Sequence, residues 1–201
     1  MGQVVPDYFG KRTTEVVADG TGESYKQVQR FIRLTELIPD LLEMEDNEFY
    51  LSHLADGTSN SNGCLFIDCR NSEGFSDENT IIYVHHMASG KMFASLIRYV
   101  EQEYYEAHPV MYLSVEGKTY PLELFAGYTT TEDSSAYRMQ FDTSHEFAEW
   151  LREISAKSDF TANIRLTTEN RIVTLSTCAY SFENARYVVH GRLVELDEAA
   201  E

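Results

Sequence analysis

The sequence predicts a mixed, mainly β domain with helices set outside its strands. Three observations carry this expectation. Short apolar or alternating runs recur through the middle and last thirds of the chain, each bounded by turn-forming residues. Helical periodicity is confined to a few stretches, at 23–37, 89–108 and 144–155. The length, 201 residues, suits one domain with enough chain for a real core.

The elements follow in order. Residues 1–22 are polar and irregular, with Gly10, Gly20 and Gly22, and predict a flexible arm ahead of a single domain over 23–201. Tyr25, Val28, Phe31, Ile32 and Leu34 mark one face of a helix over 23–37, with Ser24 as N-cap. Residues 56–63 form a Gly/Ser/Asn loop. Residues 64–69 and 80–85 read as short buried strands. A helix is expected over 89–108, with Met92, Phe93, Leu96, Ile97, Val100 and Tyr104 on its stripe and Pro109 as its stop. Strands are expected at 110–115, 118–122 and 124–128, with Glu116-Gly117 as a hairpin turn. Ser144 caps a helix over 144–155 whose apolar side is Phe147, Trp150, Leu151 and Ile154. Residues 171–179 alternate, with Ile172, Thr174, Ser176 and Cys178 on one face and Val173, Leu175 and Thr177 on the other. Residues 186–196 are again rich in Val and Tyr.

Composition narrows the function. A net charge of −17 without a basic stripe argues against nucleic acid and against direct docking on anionic lipid. No run approaches the roughly 20 apolar residues of a membrane span, and the start lacks the basic and apolar segments of a signal peptide. Three cysteines do not make a disulfide scaffold. Cys64 and Cys69 point to opposite faces of an extended strand and read as buried small hydrophobes. No CxxC pair occurs and His85-His86 lacks helical ligand spacing, so neither a metal nor a cofactor is expected.

Cys178 and Arg186, eight residues apart, are the most informative pair. If the late strands pair antiparallel, Cys178 ends one where Arg186 begins the next, and a guanidinium there would stabilise a thiolate or a developing oxyanion. The apolar run 80–84 ends in His85 and His86. A thiol, an imidazole and a guanidinium outline a cysteine acyl-transfer site. The plainer alternatives are a buried core thiol at Cys178 and a surface ion pair at Arg186. Arg192 and His190 share the Arg186 strand parity. His53, His108 and His145 read as structural or surface residues.

Thr174-Leu175-Ser176-Thr177-Cys178 resembles the TLxTC signature of sortases, the cysteine transpeptidases of Gram-positive cell surfaces. Ile82-Tyr83-Val84-His85-His86-Met87 resembles their IYGHNM segment, and Ala185-Arg186-Tyr187-Val188-Val189 the strand that supplies their arginine. Residues 46–53 and 63–71 are similar to the class B pattern in particular. The likeness runs unbroken over about 46–196.

The resemblance implies a closed mixed β-barrel over that span, an N-terminal helix, and a helix before the late catalytic strands. It implies that Cys178 attacks the carbonyl after Thr in a C-terminal sorting signal, the NPxTx type being the one seen in this class, and forms a thioacyl enzyme. Arg186 then stabilises the oxyanion, and His85, favoured over His86 by alignment, handles the protons. Asn47, Leu51, Ser176 and Thr177 are implied to bind the sorting peptide; the plain alternatives are a cap for Asn47 and core for Leu51. The acceptor is an amine of a peptidoglycan precursor or, in a pilin-polymerising variant, a pilin lysine. A cysteine peptidase and a non-catalytic sortase-like binding module are the competing readings. Members are normally held by an N-terminal membrane helix, so Met1-Gly2 reads as the start of a trimmed chain. The expected location is the outer face of the cytoplasmic membrane.

Overall fold

The computed structural model describes residues 47–54, 57–61, 63–84, 93–115, 118–179 and 181–194. The expected arm over 1–22, the helix over 23–37, the turn at 116–117 and His85 with His86 lie outside them. Strands β1 (Phe66–Ile67), β2 (Asn79–Val84), β3 (Val110–Val115), β4 (Lys118–Thr130), β5 (Arg171–Cys178) and β6 (Arg186–Leu193) form one six-stranded sheet. Its order is β1-β2-β5-β6-β4-β3. β2 and β5 run parallel, joined by the long crossover that parallel pairing demands; all other neighbours are antiparallel. The mixed, mainly β expectation is borne out.

Both faces of the sheet are covered, and strand alternation sorts the side chains between them. Ile82, Val173, Leu175, Tyr187 and Val189 enter one apolar cluster with Leu96, Tyr99, Tyr104 and Tyr105. Ile81, Ile172 and Val188 enter the other with Phe147, Trp150, Leu151 and Ile154. Those last four lie on helix α2 (Ser144–Ala156). The expected apolar side of that helix is therefore its docking face. Its N-cap is Thr143 rather than Ser144, because Thr143 is still extended and its Oγ1 accepts from Glu146 N at 3.2 Å.

Three other expectations need correction. The single helix over 89–108 is a 3-10 segment, Phe93–Val100, followed by helix α1 (Gln102–Ala107). Glu101 between them is extended, at φ −100° and ψ 124°. Leu96 and Tyr99 are buried at the three-residue period of a 3-10 turn, and the break resets the phase so that Tyr104 and Tyr105 are both buried. Val100, expected on the stripe, is 47% exposed. The two strands at 118–122 and 124–128 are one strand, with a register shift between Leu124 and Ala126. That shift lets Phe125 and Ala126 both join the α2-side cluster after Leu122 and Leu124 have lined the opposite one. Finally, of residues 64–69 only Phe66–Ile67 pairs as strand, and Cys64 and Cys69 are half-buried.

The close approach of β4 and β6 makes a specific demand at Gly191. A Cβ there would lie 2.5 Å from Leu122 Cγ and 2.8 Å from its Cδ1. Leu122 is fully buried, and the nearest atom, Cγ, is the branch point of its side chain rather than its far end. Gly191→Ala should therefore cost about 1–3 kcal/mol of stability through overpacking. Urea unfolding checks this: the midpoint should fall with the slope unchanged, and an unchanged midpoint would contradict the packing described.

Candidate active site

β5 is buried at every position between its ends, and its C-terminal end emerges half-exposed at Cys178. The chain turns back at once. Ala179 N donates to Ala185 O at 2.9 Å, and Ala185 N donates to Phe182 O at 3.2 Å. Asn184 takes the left-handed conformation the turn needs, at φ 60°. β6 then begins at Arg186, directly opposite Cys178 in the antiparallel register. Directly opposed residues share a face, so thiol and guanidinium project on the α2 side of the sheet. This is the juxtaposition expected from the sequence.

Arg186 is held at two points. Its Nη1 donates to Ala185 O at 3.2 Å and its Nη2 to Glu132 Oε2 at 3.0 Å. Glu132 lies two residues beyond Thr130, the β4 partner of Arg186, so the carboxylate approaches from the side away from β5. The pair is open to solvent, with 25% and 63% of the two side chains exposed. A guanidinium carries five N–H donors, so these two contacts leave three for a substrate oxygen. Arg192, the parity-matched rival, is committed elsewhere: its Nε donates to Glu123 Oε2 at 2.5 Å and its Nη1 to Arg165 O at 2.9 Å.

Ser176 and Thr177 are each only 1% exposed. The Ser176 hydroxyl meets the Tyr137 hydroxyl at 2.8 Å, and Thr177 Oγ1 is buried without a hydrogen-bond partner. Asn47 Oδ1 accepts from Cys69 N at 2.8 Å, a bond to the turn after β1 rather than a cap of its own 3-10 helix, and Leu51 is 40% exposed rather than core. His85 lies outside the described residues. The residue before it in the chain, Val84, pairs with Thr177, the residue before Cys178.

The sequence offered no signal for Tyr137 or Glu132, which reach the site from a distant segment. Burial raises the pKa of the Tyr137 hydroxyl, while its hydrogen bond with Ser176 and the charge of Arg186 work the other way. Its ring stacks on that of Tyr83, with centroids 6.1 Å apart. Tyr83 in turn donates to Asp68 Oδ2 at 2.9 Å. Burial works to raise the Asp68 carboxyl, but hydrogen bonds from Arg70 and Tyr83 outweigh it and hold the group below its ordinary range.

A sortase domain model matches residues 44–194. The chain belongs to the sortase family. It is 36% identical over 162 residues to a sortase B of Listeria monocytogenes, covering 80% of this chain and 66% of that protein. The chain thus spans just under two thirds of that relative's length. It is 31% identical over 175 residues to a sortase B of Staphylococcus aureus, covering 85% of this chain and 72% of that one. A solved Staphylococcus aureus sortase B–substrate complex superposes with a TM-score of 0.72 at 25% identity, covering 92% of each chain. Sortases are cysteine transpeptidases, which agrees with the class B resemblance read from the motifs. Among the described residues of this sortase, no helix is long and apolar enough to cross a membrane.

Beneath the site of this sortase runs a buried chain of polar groups. Asn79 Nδ2 donates to the carbonyls of Ala136 and Arg138 at 3.2 and 2.8 Å, which fixes the orientation of the amide. Its Oδ1 accepts from Thr174 Oγ1 at 2.7 Å. Thr174 has then used its one hydrogen, so its contact at 2.8 Å with His190 Nδ1 requires that nitrogen to donate. His190 Nε2 is left as an acceptor for the Tyr128 hydroxyl at 3.3 Å. His190 is completely buried, and burial, with the Lys157 charge a lesser cause, pulls its pKa down to about 3. The imidazole is neutral in the fold, whereas its ordinary value is 6.5. Stability from this site is therefore full above pH 6.5 and drains as the pH falls toward 3. Melting temperature should decline on acidification from pH 6.5, already above the carboxylate range, and His190→Gln should flatten that part of the profile. An equal slope in the variant would mean that other groups set it.

Proposed function

We propose that this sortase is a class B transpeptidase of surface proteins. The observation that supports the reading best is the direct cross-strand pairing of Cys178 with Arg186, in a family that works through a cysteine. The Cys178 thiolate attacks the carbonyl carbon after Thr in a C-terminal sorting signal. The carbonyl oxygen becomes an oxyanion, and the free donors of Arg186 stabilise it. The C–N bond then breaks, His85 gives its proton to the leaving amine, and a thioester remains on Cys178. An incoming primary amine loses a proton to His85, attacks the thioester and releases the thiolate. The amine belongs to a cell-wall precursor. Asn47 and Leu51 lie on the peptide-binding side, and Ser176 and Thr177 shape the strand end that carries the nucleophile. The protein acts at the outer face of the cytoplasmic membrane.

Mass spectrometry of the protein with a panel of sorting-signal peptides tests this reading. One peptide should leave an adduct on Cys178 with the mass of its N-terminal fragment. Cys178→Ala should give none, and Arg186→Ala should slow adduct formation by about 10²–10³-fold, the usual effect of losing an oxyanion donor. A primary amine should convert the adduct to ligated peptide, whereas release by water alone would indicate a peptidase. Absence of any adduct on well-folded wild type would overturn the proposal.

A further inference from the structure

Tyr137 lies on a short 3-10 turn, Ser135–Tyr137, in the connection between β4 and α2, and the backbone around it is gripped by buried side chains. Asn79 Nδ2 takes the carbonyls of Ala136 and Arg138, the residues on either side of Tyr137. Asn79 N takes the carbonyl of Met139 at 3.1 Å. The Trp150 indole N–H takes the carbonyl of Ser135 at 2.7 Å. Of the five successive carbonyls from Ser135 to Met139, all but that of Tyr137 itself are thus held by two residues from β2 and α2. Asn79 is fully buried, and the Thr174 hydroxyl fixes its remaining polar atom, Oδ1.

We infer that Asn79 is a positioning residue for the transpeptidation reaction, acting through Tyr137. Its amide sets the backbone on both sides of Tyr137. The Tyr137 hydroxyl then holds Ser176, two residues before Cys178 on the same strand face. The route runs from β2 through the Tyr137 turn to the end of β5. It ties the strand that precedes His85 in sequence to the strand that ends in Cys178. A positioning role follows because Asn79 is buried and all its polar atoms are used inside the protein, leaving none for substrate. The inference rests on the proposed function for its consequence in catalysis, but the geometry of the Cys178 thiol can be read without any substrate.

The test is a double-mutant cycle on the full chain between Asn79→Ala and Tyr137→Phe, with two readouts. The first is the rate of thioacyl formation on Cys178 by a sorting-signal peptide. The second is the rate of Cys178 alkylation by iodoacetamide, with Cys64 and Cys69 in the same molecule as internal standards. Asn79→Ala should slow thioacyl formation on the order of ten- to a hundred-fold, as small misplacements of reacting groups do. It should change Cys178 alkylation while leaving the Cys64 and Cys69 rates alone. In the Tyr137→Phe background, Asn79→Ala should add less than about twofold to either rate, because residues acting as one unit are not additive. A merely structural role would give equal effects in both backgrounds, or parallel changes at all three thiols, and either result overturns the inference. Should Asn79→Ala not fold, Trp150→Phe removes one carbonyl contact while keeping most of the ring, and the same pattern should appear at smaller size; its absence counts equally against. If wild type forms no thioacyl adduct, the proposed function fails, and the alkylation cycle alone still decides whether Asn79 acts through Tyr137.

Discussion

The structure depends on one constraint: β5 is buried on both faces from Ile172 to Thr177. A strand in that situation has no freedom to slide or roll, since each alternate side chain is committed to one of two cores. β2 and β6 clamp its edges, in parallel and antiparallel pairing respectively. The half-exposed thiol at its end inherits the rigidity of the whole sheet. Sites built at the ends of strands in this way are held more tightly than sites on loops. The turn that follows is short enough to return Arg186 to the same row, so the cation needs no loop to carry it.

Electrostatics at the rim is of a different kind. The Arg186–Glu132 pair is solvent-exposed, and such pairs contribute only about 0–1 kcal/mol. Its effect is directional rather than stabilising: it fixes one branch of the guanidinium and leaves the remaining donors open. The interior, by contrast, has no charge to spare along the Asn79–Thr174–His190–Tyr128 chain. Every link there is neutral, and each donor meets an acceptor, so low polarity around it strengthens the bonds instead of penalising them.

Much of the fold and of the site was legible in the sequence, and what was missed has physical causes. Alternation exposed β5 and β6, and the short segment between them dictated the register that sets Cys178 against Arg186. Motif likeness then gave these residues a chemistry that spacing alone left open. The break at Glu101 was hidden because the apolar positions 93, 96, 97, 100 and 104 keep a three- and four-residue spacing straight across it. The bulge in β4 was hidden because Leu124-Phe125-Ala126 is apolar throughout and shows no change of phase. Tyr137 and Glu132 meet their partners across 39 and 54 residues of chain, a closeness created by the pairing of β4 with β6 and by the turn that follows β4. His190 was distinguishable by parity, but its neutral role depends on Thr174 and Tyr128 arriving from two other strands.

The bond between Thr174 and His190 also works against wrong structures. The two residues are partners in the β5–β6 register and meet only because both point to the α2 side. If β6 paired one position out of step, His190 would turn into the opposite apolar cluster, and Thr174, Asn79 and Tyr128 would lose their common partner. Each buried polar group stranded in this way costs about 1–3 kcal/mol. Apolar residues such as Val188 and Val189 tolerate exchange between two greasy layers far better, so they reject a slipped pairing only weakly. The polar chain therefore acts as a proofreader of strand pairing: it makes the misaligned sheet expensive, and it does so four residues from the register position that sets Cys178 opposite Arg186.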